Sequence, residues 1–395
     1  MKVTDASLIV NELYAEMTGK KDVTTVDSSN IVDIGADIQA TGIGVDVVYK
    51  KLSDKVGKVV IRNKVYEGKF VSIFRDGWEF GNMLQTLRVK SVDAVADPSY
   101  NPVSGQNYPL TQYDALDVKQ KFYKDFDNFQ ITYWRPTDQL WSAFNSMDEM
   151  TRFLTGIEIA IKNGITKRLQ GLAKVAISNM IAQTLRAEFP EANYSADSKL
   201  KAVNLLHLYN AGKAEGATLT AENCRESQDF LRFAAKTINN WHDRIQDMSV
   251  LFNIDGEEEF TKAEDVNLVL LSTFANDIKY NLYNAHGQLN YDLMQLPGYE
   301  TVPYWQGSGT TYDEGVIGEI HQTIKTGAEA EDTDTIEATG IVGVMFDKEA
   351  VAVNCERKKV TTFYHPDLDQ TKFFDKYLGQ YINAFDKNFV VFYIA

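Results

Sequence analysis

Between Ser146 and Glu188, apolar side chains recur every third or fourth position: Met150, Phe153, Leu154, Ile157, Ile161, Ile165, Leu169, Leu172, Ala176 and Met180. This stripe predicts one long amphipathic helix. Ser146 and Glu149 have the spacing of a capping box, which satisfies two orphan backbone donors at a helix start. Pro190 marks the end. At 1.5 Å per residue such a helix runs about 60 Å, longer than ordinary globular helices. The stripe drifts in period and lacks regular flanking charges, so it reads as a helix buried along one face of an extended subunit rather than as a coiled coil.

Towards the N-terminus, Ile9, Leu13 and Met17 keep helical spacing behind Thr4 or Asp5 as a cap, and Gly19 supplies a stop. Residues 30–56 carry Ile31, Ile34, Ile38, Ile43 and Val47 among small residues. They predict an arm that lies against a larger body, because so little apolar surface does not offset the entropy of folding alone. KVVIRNKVYEGKFVSIF (58–74) and FDNFQITYW (126–134) then turn to β character. In the second, Phe129, Ile131 and Tyr133 alternate with Gln130, Thr132 and Trp134. The two stretches predict paired strand arms. Between them, Pro98, Pro102, Gly105 and Pro109 predict an extended loop, and loops of that length are usually functional or mobile.

Residues 195–345 read as mixed helix and strand. Phe230, Phe233, Ala234, Ile238, Trp241 and Ile245 predict a helix over about 226–248. VNLVLLS (266–272) is short and continuously apolar, as a buried strand is, and FANDIKYNLYN continues it as a helix. ETVPYW and GIVGVMF predict further strands, and the acidic EAEDTDT predicts a loop. In the last fifty residues EAVAVNCE alternates, RKKVTTFYH follows, and His365-Pro366-Asp367 predicts a turn. KFFDKYLGQYINAF suits a helix or a strand, with Gly379 weighing against the helix. The terminal NFVVFYIA requires burial on both faces or against a neighbour.

The 395 residues are 44% hydrophobic and 24% charged, an ordinary globular balance that excludes a disordered or fibrous chain. The formal charge of −15 argues against a protein that grips nucleic-acid phosphates. Cys224 and Cys355 make neither a disulfide framework nor a zinc pattern and read as free thiols. Neither a signal peptide nor a membrane span is predicted. His207, His242, His286, His321 and His365 never pair at helical ligand spacing. Asp332-Thr333-Asp334-Thr335 has the form of a phosphoryl-transfer nucleophile motif but follows a polar loop. Asp255-Gly256-Glu257-Glu258-Glu259 reads as a solvated acidic loop, with a divalent-ion turn as the alternative. Gly57-Lys58 lacks the rest of a phosphate loop, and there is no nucleophile elbow. No catalytic residue, cofactor or metal site is therefore expected. Aromatic residues reach 12%, and Trp78, Phe80, Tyr100 and Tyr108 crowd the long-loop section. They are the candidate inter-subunit contacts, because aromatic anchors dominate protein interfaces.

The order of arm, β hairpin, capped long helix, α/β insert and closing sheet resembles the major capsid proteins of tailed bacteriophages with the Hong-Kong-97-type fold, and most of all coats of small short-tailed phages. Four stretches carry the likeness: NIVDIGADIQATGIGVDVVYKKLSDKVGKVVI (30–61), MDEMTRFLTGIEIAIKNGITKRLQGLAKVAISNMIAQTLRAEF (147–189), EDVNLVLLSTFANDIKYNLYN (264–284) and the closing KKVTTFYHPDL…FDKYLGQYINAFDKNFVVFYIA (358–395). The resemblance implies an α+β subunit with an N-terminal arm (1–57), an extended hairpin loop (58–135), a peripheral domain with a spine helix (136–194), an axial domain (195–345) and a closing peripheral sheet (346–395). On it, the 372–386 segment is strand. Arm and hairpin would reach over neighbours in a shell of pentamers and hexamers around phage double-stranded DNA, held without sequence-specific contacts. Scaffolding and portal proteins would be partners, with assembly in the bacterial host cytoplasm and the virion capsid as destination. No built-in scaffolding segment is visible ahead of the arm. Some such coats cross-link a hairpin lysine; Lys64 and Lys69 lie in the corresponding region without an identified partner. The alternatives are a bacterial protein compartment of encapsulin type built on the same fold, and an enzyme of unknown type.

Overall fold

The computed structural model describes residues 3–19, 26–27, 29–62, 70–74, 84–90, 94, 97, 99–100, 102–106, 118–123, 126–190, 197–213, 217–280, 296–305, 319–325 and 333–395. The N-terminal segment is three helices, α1 (Val3–Thr18), α2 (Ile31–Ala40) and α3 (Val45–Arg62). Gly19 ends α1 at φ +72°, donating its N–H to the Ala15 carbonyl at 3.0 Å, the left-handed stop that glycine adopts without strain. Thr4 and Asp5 lie inside α1 rather than capping it. α3 runs through the 58–62 stretch expected to be strand, because its apolar residues Val48, Leu52 and Val56 continue a helical period and are buried.

A two-stranded hairpin follows, β1 (Leu84–Val89) and β2 (Val118–Tyr123). Next come β3 (Phe126–Pro136), α4 (Thr137–Ala143) and α5 (Met147–Glu188). The 42-residue α5 is the predicted spine, its stripe of Met150, Leu154, Ile157, Ile161, Ile165, Leu169, Leu172, Ala176 and Met180 buried throughout. The Glu149 N–H donates to Ser146 Oγ at 3.2 Å, making the Ser146 half of the expected box. The paired strand arms are not those expected. β1 pairs with β2, and β3 leaves the hairpin to join a body sheet.

The chain continues through β4 (Ala202–Asn204), α6 (Leu205–Asn210), α7 (Gln228–Arg244), β5 (Val266–Leu271), α8 (Ser272–Tyr280), β6 (Tyr299–Val302), β7 (Ile320–Lys325), β8 (Thr333–Ala338) and β9 (Ile341–Asp347). It closes with β10 (Val351–His365), β11 (Gln370–Asn383) and β12 (Phe389–Tyr393). Among the described residues two sheets flank the spine. One is antiparallel, β10-β11-β3; the other is mixed, β4-β12-β9-β5-β6. β7 and β8 pair separately, and Arg186 near the end of α5 contacts Asp334 on β8 at 3.1 Å. The closing fifty residues are thus divided between the sheets: β10 and β11 lie in the first and β12 in the second. β11 is strand through Asn383, covering all but the end of the ambiguous segment, and residues 384–386 turn the chain towards β12.

The two sheets and the spine share one core. Phe129, Ile131 and Tyr133 turn inward from β3 as the alternation predicts. Tyr133 stacks on Phe373 at 4.7 Å between ring centroids, and Phe129 stacks on Tyr377 at 5.4 Å. The N-terminal helices pack on this same body rather than projecting from it. Tyr49 on α3 donates its hydroxyl to the Pro136 carbonyl at 2.6 Å. Lys55 reaches Glu12 and Glu16 of α1, both at 2.8 Å, and the Lys55 ammonium holds the Glu16 carboxyl below the usual range. In the mixed sheet β12 is fully buried between β4 and β9, which meets the requirement set by its apolar sequence.

Candidate inter-subunit surface

The register of the hairpin sorts its side chains onto two faces. Arg88 lies opposite Lys119, Leu87 opposite Gln120, and Val89 opposite Val118. Alternation puts Lys121 on the Arg88–Lys119 face and Phe122 on the face of Leu87, Val89 and Val118. Like charges directly opposite each other repel, so the basic face needs counter-charge, and the body supplies it. Arg88 contacts the Glu259 carboxylate at 2.9 Å and that of Asp386 at 3.4 Å, and it donates to the Asp386 carbonyl at 3.0 Å. Lys119 pairs with Glu257. Lys121 stands 3.4 Å from Asp255 and 4.6 Å from the centre of the Phe385 ring.

The acidic seat is itself built by local bonds. Gly256 turns the chain at φ +67°. Asn253 Oδ1 accepts the Glu257 N–H at 2.8 Å. Ser249 and Glu259 exchange backbone hydrogen bonds at 3.0 and 3.1 Å, and the Ile254 and Asp255 N–H groups both donate to the Phe385 carbonyl. Residues 249–259 are thereby tied to the turn between β11 and β12. The Lys119 ammonium, hydrogen-bonded to Glu257, holds that carboxyl below the usual carboxylate range. Sequence reasoning saw a solvated acidic loop or an ion-binding turn here. Its carboxylates instead neutralise the hairpin, a pairing between positions over a hundred residues apart that no local pattern carries.

The opposite face of the hairpin is open and mostly apolar, with Gln120 as the polar residue opposite Leu87. Leu87 is 64% exposed, and Val89, Val118 and Phe122 are each about half exposed. In the intervening loop Tyr100 is 87% exposed, following a turn in which Asp97 Oδ1 accepts the Ser99 N–H at 2.9 Å. Trp78, Phe80 and Tyr108, and with them Lys64 and Lys69, lie outside the described residues. A second exposed apolar surface was not named from sequence: the outer face of the antiparallel sheet. There Phe363, Lys372 and Trp134 stand side by side across three strands, with the Lys372 ammonium 4.8 Å from the Trp134 ring. The signal was present in the 126–134 alternation, which turns Trp134 outward.

Among the described residues no group of three or more His, Cys, Asp or Glu side chains is placed to hold a metal ion, and no helix is long and apolar enough to cross a membrane. His242 and Asp243, adjacent near the end of α7, approach to 3.7 Å. Asp332 lies outside the described residues, and Thr333–Thr335 begin β8. Both cysteines are free and buried.

No curated protein matches the chain. Among solved structures it is similar to the capsid structure of Staphylococcus phage Andhra, with 10% identity, 84% of this chain and 85% of that one covered, and a TM-score of 0.48. It is also similar to a chain of Microbacterium phage Oxtober96, with 11% identity, 84% and 92% covered, and a TM-score of 0.41. A third is the capsid structure of the cyanophage P-SCSP1u, with 12% identity, 84% and 94% covered, and a TM-score of 0.36. At such identities and scores the assignment rests on the family match instead. The model of the Phi29-like phage major capsid protein family matches residues 7–393. With the match running almost end to end, the chain belongs to the Phi29-like phage major capsid protein family and is a structural subunit of a phage capsid shell.

Proposed function

We propose that the β1–β2 hairpin is the clasp of this shell, burying its outward face and the loop between its strands on a neighbouring subunit as pentamers and hexamers close around double-stranded DNA. The observation that carries this reading is the alignment of Leu87, Val89, Val118 and Phe122 on one exposed face of a narrow ribbon. Apolar surface of that kind is unfavourable in water and favourable once covered. Tyr100 adds an exposed aromatic anchor on the same projection. A hairpin-to-body contact is heterologous, and such contacts close into rings when repeated under rotation. Trp78, Phe80 and Tyr108 belong to this contact set by their place in the chain.

The division into arm (1–57), hairpin (58–135), spine (136–194), axial (195–345) and closing (346–395) segments is kept as part of the proposal. The described helices of the arm pack on this subunit's own body and still expose Val3, Leu8, Val32 and Val47, so arm and hairpin both keep surface for a neighbour. The charge of −15 suits a DNA container, because a wall of net negative charge repels the phosphates of the packed polymer rather than holding it. Scaffolding and portal proteins as partners, and assembly in the host cytoplasm, belong to the same reading. The role is structural rather than enzymatic, and the encapsulin-type compartment gains no support from the comparisons. The test is the double substitution Leu87→Asp with Phe122→Asp, examined by electron microscopy under conditions where the wild type assembles. A folded subunit that forms no shells is the expected result; shells in wild-type yield would remove the hairpin from this role.

A further inference from the structure

The inward face of the hairpin is held to its own subunit chiefly by charge. Arg88, Lys119 and Lys121 reach Asp255, Glu257 and Asp386 around a cleft of about 660 Å³, and Arg88 also reaches Glu259. Among the described residues the apolar seating of the hairpin is at its root, where Tyr123 clusters with Ala352, Ile382 and Ala384. We propose that Asp255, Glu257, Glu259 and Asp386 form an electrostatic latch that holds the hairpin against its own subunit with the apolar face turned outward, and that ionic strength sets how firmly the latch is closed. This concerns the regulation of the same hairpin, and only its consequence for assembly rests on the clasp reading.

Three features support the latch. The carboxylates are fixed in advance by the backbone bonds of residues 249–259 to Ser249 and Phe385, so closing it orders the hairpin alone. The side chains of Glu257, Glu259 and Asp386 are mostly buried, at 12%, 14% and 17% exposure, and so is Arg88 at 22%, whereas Lys119, Lys121 and Asp255 stay accessible to salt at 58%, 37% and 40%. Ions shorten the reach of exposed charges from about 10 Å at 0.1 M to about 3 Å at 1 M and screen buried pairs much less, so salt acts on the latch through the lysines. Finally, Arg88 and Lys119 face each other across the two strands. Removing a carboxylate at low salt frees the hairpin from the body and also sets these two cations against each other, so there latch opening and strand separation are coupled.

Hydrogen exchange on the unassembled full-length subunit tests the latch. Raising NaCl from 0.1 to 1 M should speed exchange of the 84–89 and 118–123 amides by roughly tenfold or more, while the spine helix amides hold their rates. Glu257→Lys should do the same at low salt, and adding Lys119→Glu to it should restore most of the lost protection. Equal hairpin exchange at both salt concentrations, with the double variant no slower than the single one, would overturn the latch. Should Glu257→Lys unfold the subunit, the wild-type salt series decides alone. Salt-dependent release alongside normal shells from the Leu87→Asp, Phe122→Asp variant keeps the latch and removes the clasp. Salt-independent exchange with shells lost in that variant does the reverse.

Discussion

Gly379 in β11 lies so close to Leu172 in the spine helix that a Cβ at 379 would come within 2.6 Å of Leu172 Cδ1 and 3.2 Å of the Asp127 carbonyl oxygen. The middle strand of the antiparallel sheet crosses the spine at this point, and only a residue without a side chain lets the two approach. Gly379→Val should therefore destabilise the subunit by about 1–3 kcal/mol through overpacking. Leu172→Ala alone should cost about 2–5 kcal/mol by leaving a cavity. Combined, the two should fall well short of their sum, because the valine fills the space that the leucine vacates. Urea unfolding of the four proteins in the cycle measures this. Strict additivity would mean that the two positions do not touch.

The C-terminal strand makes a second prediction. β12 is bonded on both sides, parallel to β4 and antiparallel to β9, and every residue of Phe389–Tyr393 is buried. Five such side chains contribute roughly 1.5–3 kcal/mol each, comparable to the whole stability of a typical domain. Removing residues 389–395 should abolish the cooperative melt rather than shift it slightly, as circular dichroism would record. Gly340, just ahead of β9, meets the end of β12 at φ +72°, its carbonyl accepting the Ile394 N–H at 2.9 Å, with no room for a Cβ against the Ile394 carbonyl. Gly340→Ala should be the milder version, costing at least about 1–3 kcal/mol of backbone strain.

The thiols offer a probe of folding. Burial pushes the Cys355 thiol up to about 12, with the nearby Asp375 and Glu356 charges adding to it. Burial raises Cys224 as well. Thiolate is the reactive form, so at pH 8 neither cysteine should react with a thiol reagent while the subunit is folded. Both should react fully in denaturant. Fast labelling of Cys355 in native protein would mean that the sheet opens there.

Ser146→Ala removes the oxygen that accepts the Glu149 N–H and should cost about 1 kcal/mol. The loss should appear in thermal melts, with the helical signal below the transition unchanged.

The spine, its cap and its stop were legible because one helix carries its own period over forty residues. The buried strands β5, β9 and β12 were legible because continuous apolar runs need two covered faces. Pairing was not. The 58–74 stretch has strand-like composition, yet its first part continues α3, whose buried face is set by contacts with β10, α5 and α1. β3 carried a strand signal that does not say which strand it joins, and its partner β11 lies over two hundred residues away. In the same way Lys119 and Glu257 look like unremarkable surface charges until the fold brings them together. The outward apolar face of the hairpin depends on that register, which alternation alone does not supply.

The proposed role of the hairpin in joining subunits stands or falls on whether shells form without it. Its most direct measurement is electron microscopy of the wild type beside a variant whose residues 76–116 are replaced by a short Gly/Ser linker, both under assembling conditions. The deleted protein should keep its far-ultraviolet spectrum and a cooperative melt, since the spine and both body sheets lie outside the deletion, and it should form no shells where the wild type does. Intact shells from the deleted protein would contradict the account.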